Sequence, residues 1–291
     1  MACIETRGLR KTFGSQVALD GLDLEVEDGA IRGVIGPHGA GKSTALHAIL
    51  GLLSHEGSVQ VLGRDPWSER DLLMRDAAFI PDVAVLPRWM RVSWALDYAA
   101  GVNPRFDPAR AKDLLATTHI GLSQEVRQLS KGMVAQLHLA LVLATDARLV
   151  VLDEPTRGLD MLFVKRFYDS LLADYLDRSR TIVIATHEVE NVQDILTHLL
   201  FIDRGRALLQ GSLEELEERY CEVRVRPEAL EAARALQPIH ERRSLGGDIF
   251  LFEEVDRERL ADLGDTRPPS VADLFMAVTS ASSRPGRAGS S

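Results

Sequence analysis

Apolar and polar positions alternate strictly in LDLEVEDG, with Leu22, Leu24 and Val26 on one side and Asp23, Glu25 and Glu27 on the other. This is the period of a half-buried strand. Asp28-Gly29 follows as a hairpin signal, so AIRGVIG is expected to be the next strand of that hairpin. KSTALHAILGLL reads as a helix, and EGSVQVLGRD as a strand bounded by glycine. From about residue 83 to 147 the pattern turns helical, in VSWALDYAA, DPARAKDLLATT and KGMVAQLHLALVLA. Asp107 is placed to cap the second of these, with Pro108 at its first position. In ARLVVLDEP the apolar run Leu149 to Leu152 fits a parallel strand covered on both faces. The helix MLFVKRFYDSLLADYL and the strand RTIVIAT repeat the alternation, and HLLFIDRGRALLQG predicts a hairpin around Asp203-Arg204-Gly205.

Beyond residue 217 the pattern resets. CEVRVR predicts a strand, PEALEAARAL a helix, and RRSLGGDIFLFEE a hairpin turning at Gly246-Gly247. PPSVADLFMAVT predicts a helix with Ser270 and Asp273 at capping-box spacing. The expectation is an α/β chain: a main domain over 1–217, a small α+β appendage over 218–280 and a disordered tail over 281–291. No internal repeat is evident.

Composition narrows the functional classes. The 291 residues are 45% hydrophobic and 26% charged, ordinary globular usage that supports a sizeable core. The 34 basic residues against 43 acidic ones leave a net charge of -9, so the overall field does not draw the chain to nucleic acid. Two cysteines, Cys3 and Cys221, make neither a disulfide framework nor a metal knuckle, and suit a reducing cytoplasm. The start, MACIETRGLRKTFG, is too charged for a secretory signal. Runs such as LALVLA fall far short of the ~20 apolar residues of a membrane span. A soluble chain is expected, with any membrane role exercised through a partner.

The chemistry begins at Gly36-Pro37-His38-Gly39-Ala40-Gly41-Lys42-Ser43-Thr44, which fits the phosphate-loop pattern and lies between an expected strand and an expected helix. Gly36, Gly39 and Gly41 let the backbone wrap closely round phosphates, and the helix start behind them favours an anion. Lys42 is suited to the β and γ phosphates of a nucleotide and Ser43 to Mg2+. At the end of the LVVLD strand, Asp153 can hold that metal directly or through water. Glu154, one residue on, can polarise a water against the γ phosphate. Water-directed chemistry means hydrolysis rather than transfer. His187 ends a third apolar strand, at the sheet edge where α/β sites lie, and can bond the γ phosphate and register its loss.

Together these residues resemble the nucleotide-binding subunit of an ATP-binding-cassette (ABC) transporter. The deciding stretch is QLSKGMVAQLHLALVLATDARLVVLDEPTRGLD, similar to the family's signature loop, helix, metal strand and D-loop in order and spacing. The resemblance covers about Ile4 to Gly211. It implies a RecA-like core sheet, an antiparallel β subdomain and a helical signature subdomain at about 83–147. It also implies ATP and Mg2+ as cofactors and assigns Phe13 to adenine stacking. Ser130 and Gly132 are assigned to the γ phosphate of ATP held by a second cassette, identical or not, Asp160 to the link between the two sites, and His187 to the switch. A membrane permease is the implied further partner, placing the chain at the cytoplasmic face of the membrane.

Four departures from that pattern stand out: His38 in place of Asn, LSKGM in place of LSGGQ, Asp82 in FIPD in place of Gln, and Arg157 in place of a small residue. At position 82 a carboxylate can still serve the metal and its water, so Asp82 is carried over as both a catalytic and a metal candidate. Lys131 is expected to be solvated. Met90, Trp94 and Tyr98 form a stripe expected to pack the helical subdomain, which leaves Trp89 as the candidate contact with a membrane subunit. The ending PPSVADLFMAVT resembles cassettes of exporters with separate membrane proteins. The competing class is a soluble cassette ATPase acting on a non-membrane complex. Such proteins usually carry two cassettes or a coiled-coil insertion, and this chain shows one phosphate loop and no heptad run.

Overall fold

The computed structural model describes residues 2–82, 86–178 and 180–282; the tail expectation over 281–291 falls almost wholly outside them. In chain order the first elements are β1 (Ala2–Phe13), β2 (Gln16–Glu27), β3 (Ile31–Ile35), α1 (Lys42–Ile49), β4 (Glu56–Val61), α2 (Arg70–Asp76) and β5 (Ala77–Ile80). The middle holds α3 (Val92–Val102), α4 (Pro108–Ala116), α5 (Lys131–Leu143), β6 (Leu149–Asp153), α6 (Met161–Arg178) and β7 (Thr181–Thr186). Next come β8 (His198–Asp203), β9 (Arg206–Ser212), α7 (Leu213–Arg219), β10 (Tyr220–Val225), α8 (Leu230–Ala235), β11 (His240–Ser244) and β12 (Gly247–Glu253). The last are α9 (Arg257–Ala261), β13 (Gly264–Arg267) and α10 (Val271–Ser282).

The central sheet runs β5-β6-β7-β3-β8-β9 and is parallel except for β9. Strands β3, β6 and β7 are buried along their whole length, as continuous apolar runs require. Successive residues serve opposite faces. Val150, Leu152, Ile182 and Ile184 meet α5, α6 and α10, while Leu149, Val151, Val183 and Ala185 meet α1 and the antiparallel sheet β2-β1-β4.

This arrangement corrects the expected hairpin at Asp28-Gly29. Strand β2 pairs with β1, placing Val26 opposite Ile4, while β3 pairs with β7 and β8. The turn passes the chain between sheets because β3 is apolar on both faces and is satisfied only inside the parallel sheet. The hairpins predicted at Asp203-Arg204-Gly205 and Gly246-Gly247 both form.

A separate cluster joins α3, α4 and α5 through Val92, Leu96, Phe106, Leu115 and Leu137. Asp107 caps α4 by accepting hydrogen bonds from Ala109 N and Arg110 N, with Pro108 leading the helix. Helix α5 serves two cores at once, giving Leu137 and Ala140 to this cluster and Leu139, Val142 and Leu143 to the central sheet. That is why it is apolar nearly all round. A buried ion cluster fastens α4 to α6: Asp174 Oδ1 lies 2.6 Å from Arg110 Nη2, and Asp174 Oδ2 lies 3.3 Å from Arg180 Nε. The side chains of Asp174 and Arg180 are 3% and 2% exposed.

The aromatic stripe is also corrected. Met90 packs against the helical cluster, but Trp94 and Tyr98 are 49% and 64% exposed. The core stripe of α3 is instead Val92, Leu96 and Ala99, aliphatic residues at helical spacing. Trp89 and Val102 are exposed as well, and Trp89 meets Trp94 edge to face with ring centroids 6.5 Å apart.

The last four strands form an antiparallel sheet, β11-β12-β10-β13, with Val223, Phe250, Phe252 and Leu260 in a core of their own. Its other face is tied to α10. Buried Glu222 is 3.1 Å from Arg242, whose guanidinium also lies 3.2 Å from Asp273. Asp273 N donates to Ser270 Oγ at 3.1 Å, the cap predicted for this helix, and α10 sets Phe275 against Phe201 of β8 at 5.1 Å.

Candidate functional site

The site is built at the carboxyl ends of β3, β6 and β7. The phosphate loop leaves β3 at Gly36, whose N–H donates to Thr186 O at 3.4 Å, and re-enters regular structure at Lys42. A Cβ at Gly36 would stand 2.2 Å from Ile202 O. Gly41 has φ 105°, and its Cβ would stand 2.5 Å from Ala18 O. Only glycine fits either position, so the loop is shaped by backbone approach as the sequence pattern requires. Pro37, His38, Gly39 and Ser43 are exposed, Gly41 and Thr44 are half-buried, and Ala40 is buried.

Lys42 is 5% exposed. Its ammonium donates to Gly36 O at 2.8 Å and Pro37 O at 3.2 Å, and lies 3.1 Å from Glu154 Oε1. Glu154 holds its own place at φ 45°, a left-handed conformation that costs a non-glycine residue free energy. Its other oxygen, Oε2, accepts from Thr186 Oγ1 at 3.1 Å and His187 N at 3.3 Å, and lies 2.9 Å from His187 Nδ1. Burial alone would raise the Glu154 pKa. The His187 hydrogen bond and the Lys42 charge outweigh it, and the carboxyl is held below its ordinary value.

Asp153 ends β6 with only 2% exposure, and its Oδ1 is buried without a hydrogen-bond partner. Burial pushes its pKa up, the Ser43 hydroxyl bonded to the same carboxylate pulls it down, and the charges of Asp82 and Glu154 push it up again. A buried carboxylate with a free oxygen beside a hydroxyl is the oxygen donor set that a hard divalent cation takes. His38, Glu154 and His187 have ligand atoms within 4.8 Å of one another. The Lys42 ammonium on Glu154 opposes a cation there.

The remaining sequence candidates fall in three places. Phe13 ends β1 at 52% exposure with Lys11 Nζ 5.2 Å from its ring, an open aromatic face rather than a core residue. Asp82 lies beyond β5, in an ion pair with Arg157 at 2.9 Å. Ser130, Gly132 and Asp160 lie at the starts of α5 and α6. Ser130 caps α5 by accepting from Met133 N at 3.2 Å, and a Cβ at Gly132 would meet the Phe163 ring at 3.1 Å. Asp160 caps α6, accepting from Leu162 N and Phe163 N at 3.1 and 3.2 Å. Lys131 is exposed.

Two features escaped the sequence. Thr186 positions Glu154, and its only signal was a hydroxyl closing an otherwise apolar strand. His38 sets its ring against that of His187, with centroids 4.1 Å apart, which no spacing along the chain indicates.

Known proteins share this architecture. The ABC transporter family profile matches residues 19–157. "Nod factor export ATP-binding protein I" of Cupriavidus metallidurans is 31% identical over 304 residues, covering 96% of this chain and 97% of that protein. The "Daunorubicin/doxorubicin resistance ATP-binding protein DrrA" of Streptomyces peucetius is 31% identical over 230 residues, covering 74% of this chain and 66% of its own length. Among solved structures, an ATP-binding subunit of an ABC transporter superposes with a TM-score of 0.68 at 23% identity, covering 74% of this chain and 92% of that one. A dimeric post-hydrolysis state of an ATP-binding cassette bound to ADP and Pi gives 0.65 at 20% identity, covering 72% and 98%. The phosphate-loop sequence, the strand ending in Asp153 and the full-length likeness agree: the chain belongs to the ABC transporter family, among its ATP-hydrolysing cassettes.

Proposed function

We propose that the chain is the ATP-hydrolysing subunit of an exporter, working on partner membrane subunits through closure of two cassettes over ATP. The observation that carries this reading is the Lys42–Glu154–His187 cluster at the phosphate loop, with Ser130 and Gly132 exposed or packed elsewhere on the same chain. Lys42 neutralises Glu154 across 3.1 Å. A triphosphate in the loop competes for the ammonium and leaves the carboxylate free to accept a proton from water, with Thr186 and His187 keeping it oriented. Ser43 and Asp153 are the residues to hold Mg2+, with Asp82 beside them; the ion supplies charge neutralisation to the phosphates when bound. Phe13 offers adenine its open face. His187, bonded to Glu154, is placed to change partners when the γ phosphate leaves.

Ser130 and Gly132 then serve the site of a second cassette, with Asp160 at the junction. Each preorganised donor to a developing charge is worth on the order of 3 kcal/mol, so a few per site suffice to drive closure. Loss of the γ phosphate removes the bridge.

Relatives named for Nod factor export and for daunorubicin/doxorubicin resistance support the export direction. No described helix is long and apolar enough to cross a membrane; the kinship with export ATP-binding proteins supports a peripheral place at the cytoplasmic face. The exposed group Trp89, Trp94, Tyr98 and Val102 is the surface to meet the permease. Trp89→Ala is expected to weaken co-purification with the membrane subunit at least several-fold and to spare ATP affinity; equal recovery of that subunit contradicts the assignment. The wider test is extraction of native membranes in detergent with this chain as bait. A co-purifying permease is expected, whereas ribosomal or chromosomal proteins without a membrane protein favour the soluble-cassette reading.

A further inference from the structure

Two residues that depart from the family pattern meet each other. Arg157 Nη1 donates to Asp82 Oδ2 at 2.9 Å and to Oδ1 at 3.3 Å. They extend from neighbouring strands: Asp82 lies just beyond β5 and Arg157 just beyond β6, and these strands run parallel with Ile80 opposite Leu152. Beside them stand Asp153 and Glu154, and the Asp82 charge is felt at Asp153. Position 82 therefore adds a third carboxylate to an edge that must accept a polyanion. Lys42 is already committed to Glu154 at 3.1 Å and cannot also neutralise Asp82.

We propose that Arg157 is a positioning residue that keeps Asp82 neutralised and turned along the sheet edge, so that the phosphate loop admits a triphosphate despite this carboxylate. The inference rests on the ATP-hydrolysing reading above and concerns how this chain carries an acid at position 82. The pair is not a folding element. Its side chains are 52% and 30% exposed, and exposed pairs add little stability. Arg157 acts on Asp82 rather than on the nucleotide, so the consequences of losing the two partners differ in sign. Removing the guanidinium frees a negative charge near the phosphates. Removing the carboxylate takes that charge away.

The test is ATP binding by the full chain in EDTA, measured by titration calorimetry for wild type, Arg157→Ala, Asp82→Asn and the double variant, with thermal melting to confirm folding. Leaving out the metal separates this effect from any service of Asp82 to Mg2+. Arg157→Ala is expected to bind ATP about tenfold more weakly, a change of about 1.4 kcal/mol. The loss should shrink as salt rises from about 0.05 to 0.5 M, because it is a charge effect. In the Asp82→Asn background, Arg157→Ala should change affinity less than about twofold. Three results overturn the proposal: unchanged affinity in Arg157→Ala, an equal loss in Asp82→Asn (a mere brace), or a full loss persisting in the double variant (direct contact with phosphate). Failure of the wild type to bind ATP, or binding unaffected by Lys42→Ala, overturns the underlying ATP reading instead.

Discussion

Glu154→Gln is expected to keep ATP and to lose turnover by two to four orders of magnitude, the span that a positioned general base contributes. The amide oxygen can still accept from Thr186 and His187, so the local geometry survives. What disappears is the carboxylate charge that lies 3.1 Å from the Lys42 ammonium, the charge that would polarise water. The lysine then meets the phosphates without first leaving a partner, so ATP affinity should hold or rise. Phosphate release and equilibrium nucleotide binding measure the two effects separately, and near wild-type turnover would remove Glu154 from its role. A pH consequence follows with a definite sign. Because the folded-state pKa of Glu154 is depressed, its contribution to stability is present above the unfolded-state pKa and lost as pH falls through the lower folded value. Acid unfolding of the nucleotide-free wild type should include this step, and that of Glu154→Gln should lack it.

The second large effect concerns the fold. Asp174→Ala is expected to cost about 3–5 kcal/mol, because it leaves Arg180 buried and unpaired between α5 and α6. For a domain of this size that corresponds to a fall in Tm of roughly 10 °C. Burial raises the Asp174 pKa, and the guanidinium groups of Arg180, Arg110 and Arg178 pull against it. Arg110→Ala should cost much less, since its side chain is 26% exposed and Asp174 retains Arg180. Replacing Asp174 and Arg180 together by leucine should recover much of the loss. A fall in Tm below about 2 °C for Asp174→Ala would mean that the cluster does not fasten the helical subdomain.

Much of this fold can be read from the chain because its strongest signals are local and mutually consistent. Apolar runs such as Leu149 to Leu152, short and closed by Asp153, suit interior strands, and the Asp107-Pro108 cap marks a helix start. The failures have physical causes too. Strand β1 escapes notice because register shifts between Ala2 and Ile4 and between Thr6 and Leu9 break its period of two. The Asp28-Gly29 turn carries no information about which strand its successor will pair with. On α3, large aromatics at i, i+4 and i+8 outweigh Val92, Leu96 and Ala99 to a reader of hydrophobicity. Packing selects the smaller set, which leaves Trp94 and Tyr98 outside.

The site divides the same way. The phosphate loop is legible because glycine spacing encodes backbone shape, as Gly36 and Gly41 show. Arg157 and Asp82 are 75 positions apart, so their pairing is visible only once β5 and β6 are side by side. The left-handed turn that aims Glu154 at Lys42 is likewise a property of the folded sheet edge.

On the proposed reading, ATP in this chain's phosphate loop is bound as a bridge to a second cassette. Sedimentation velocity of Glu154→Gln with ATP, with ADP and without nucleotide tests it most directly. A species of twice the monomer mass is expected with ATP alone, abolished by adding Ser130→Arg, which blocks the signature surface while leaving the phosphate loop intact. A monomer under all three conditions, in a variant shown to bind ATP, or an ATP-dependent dimer indifferent to Ser130→Arg, would contradict it.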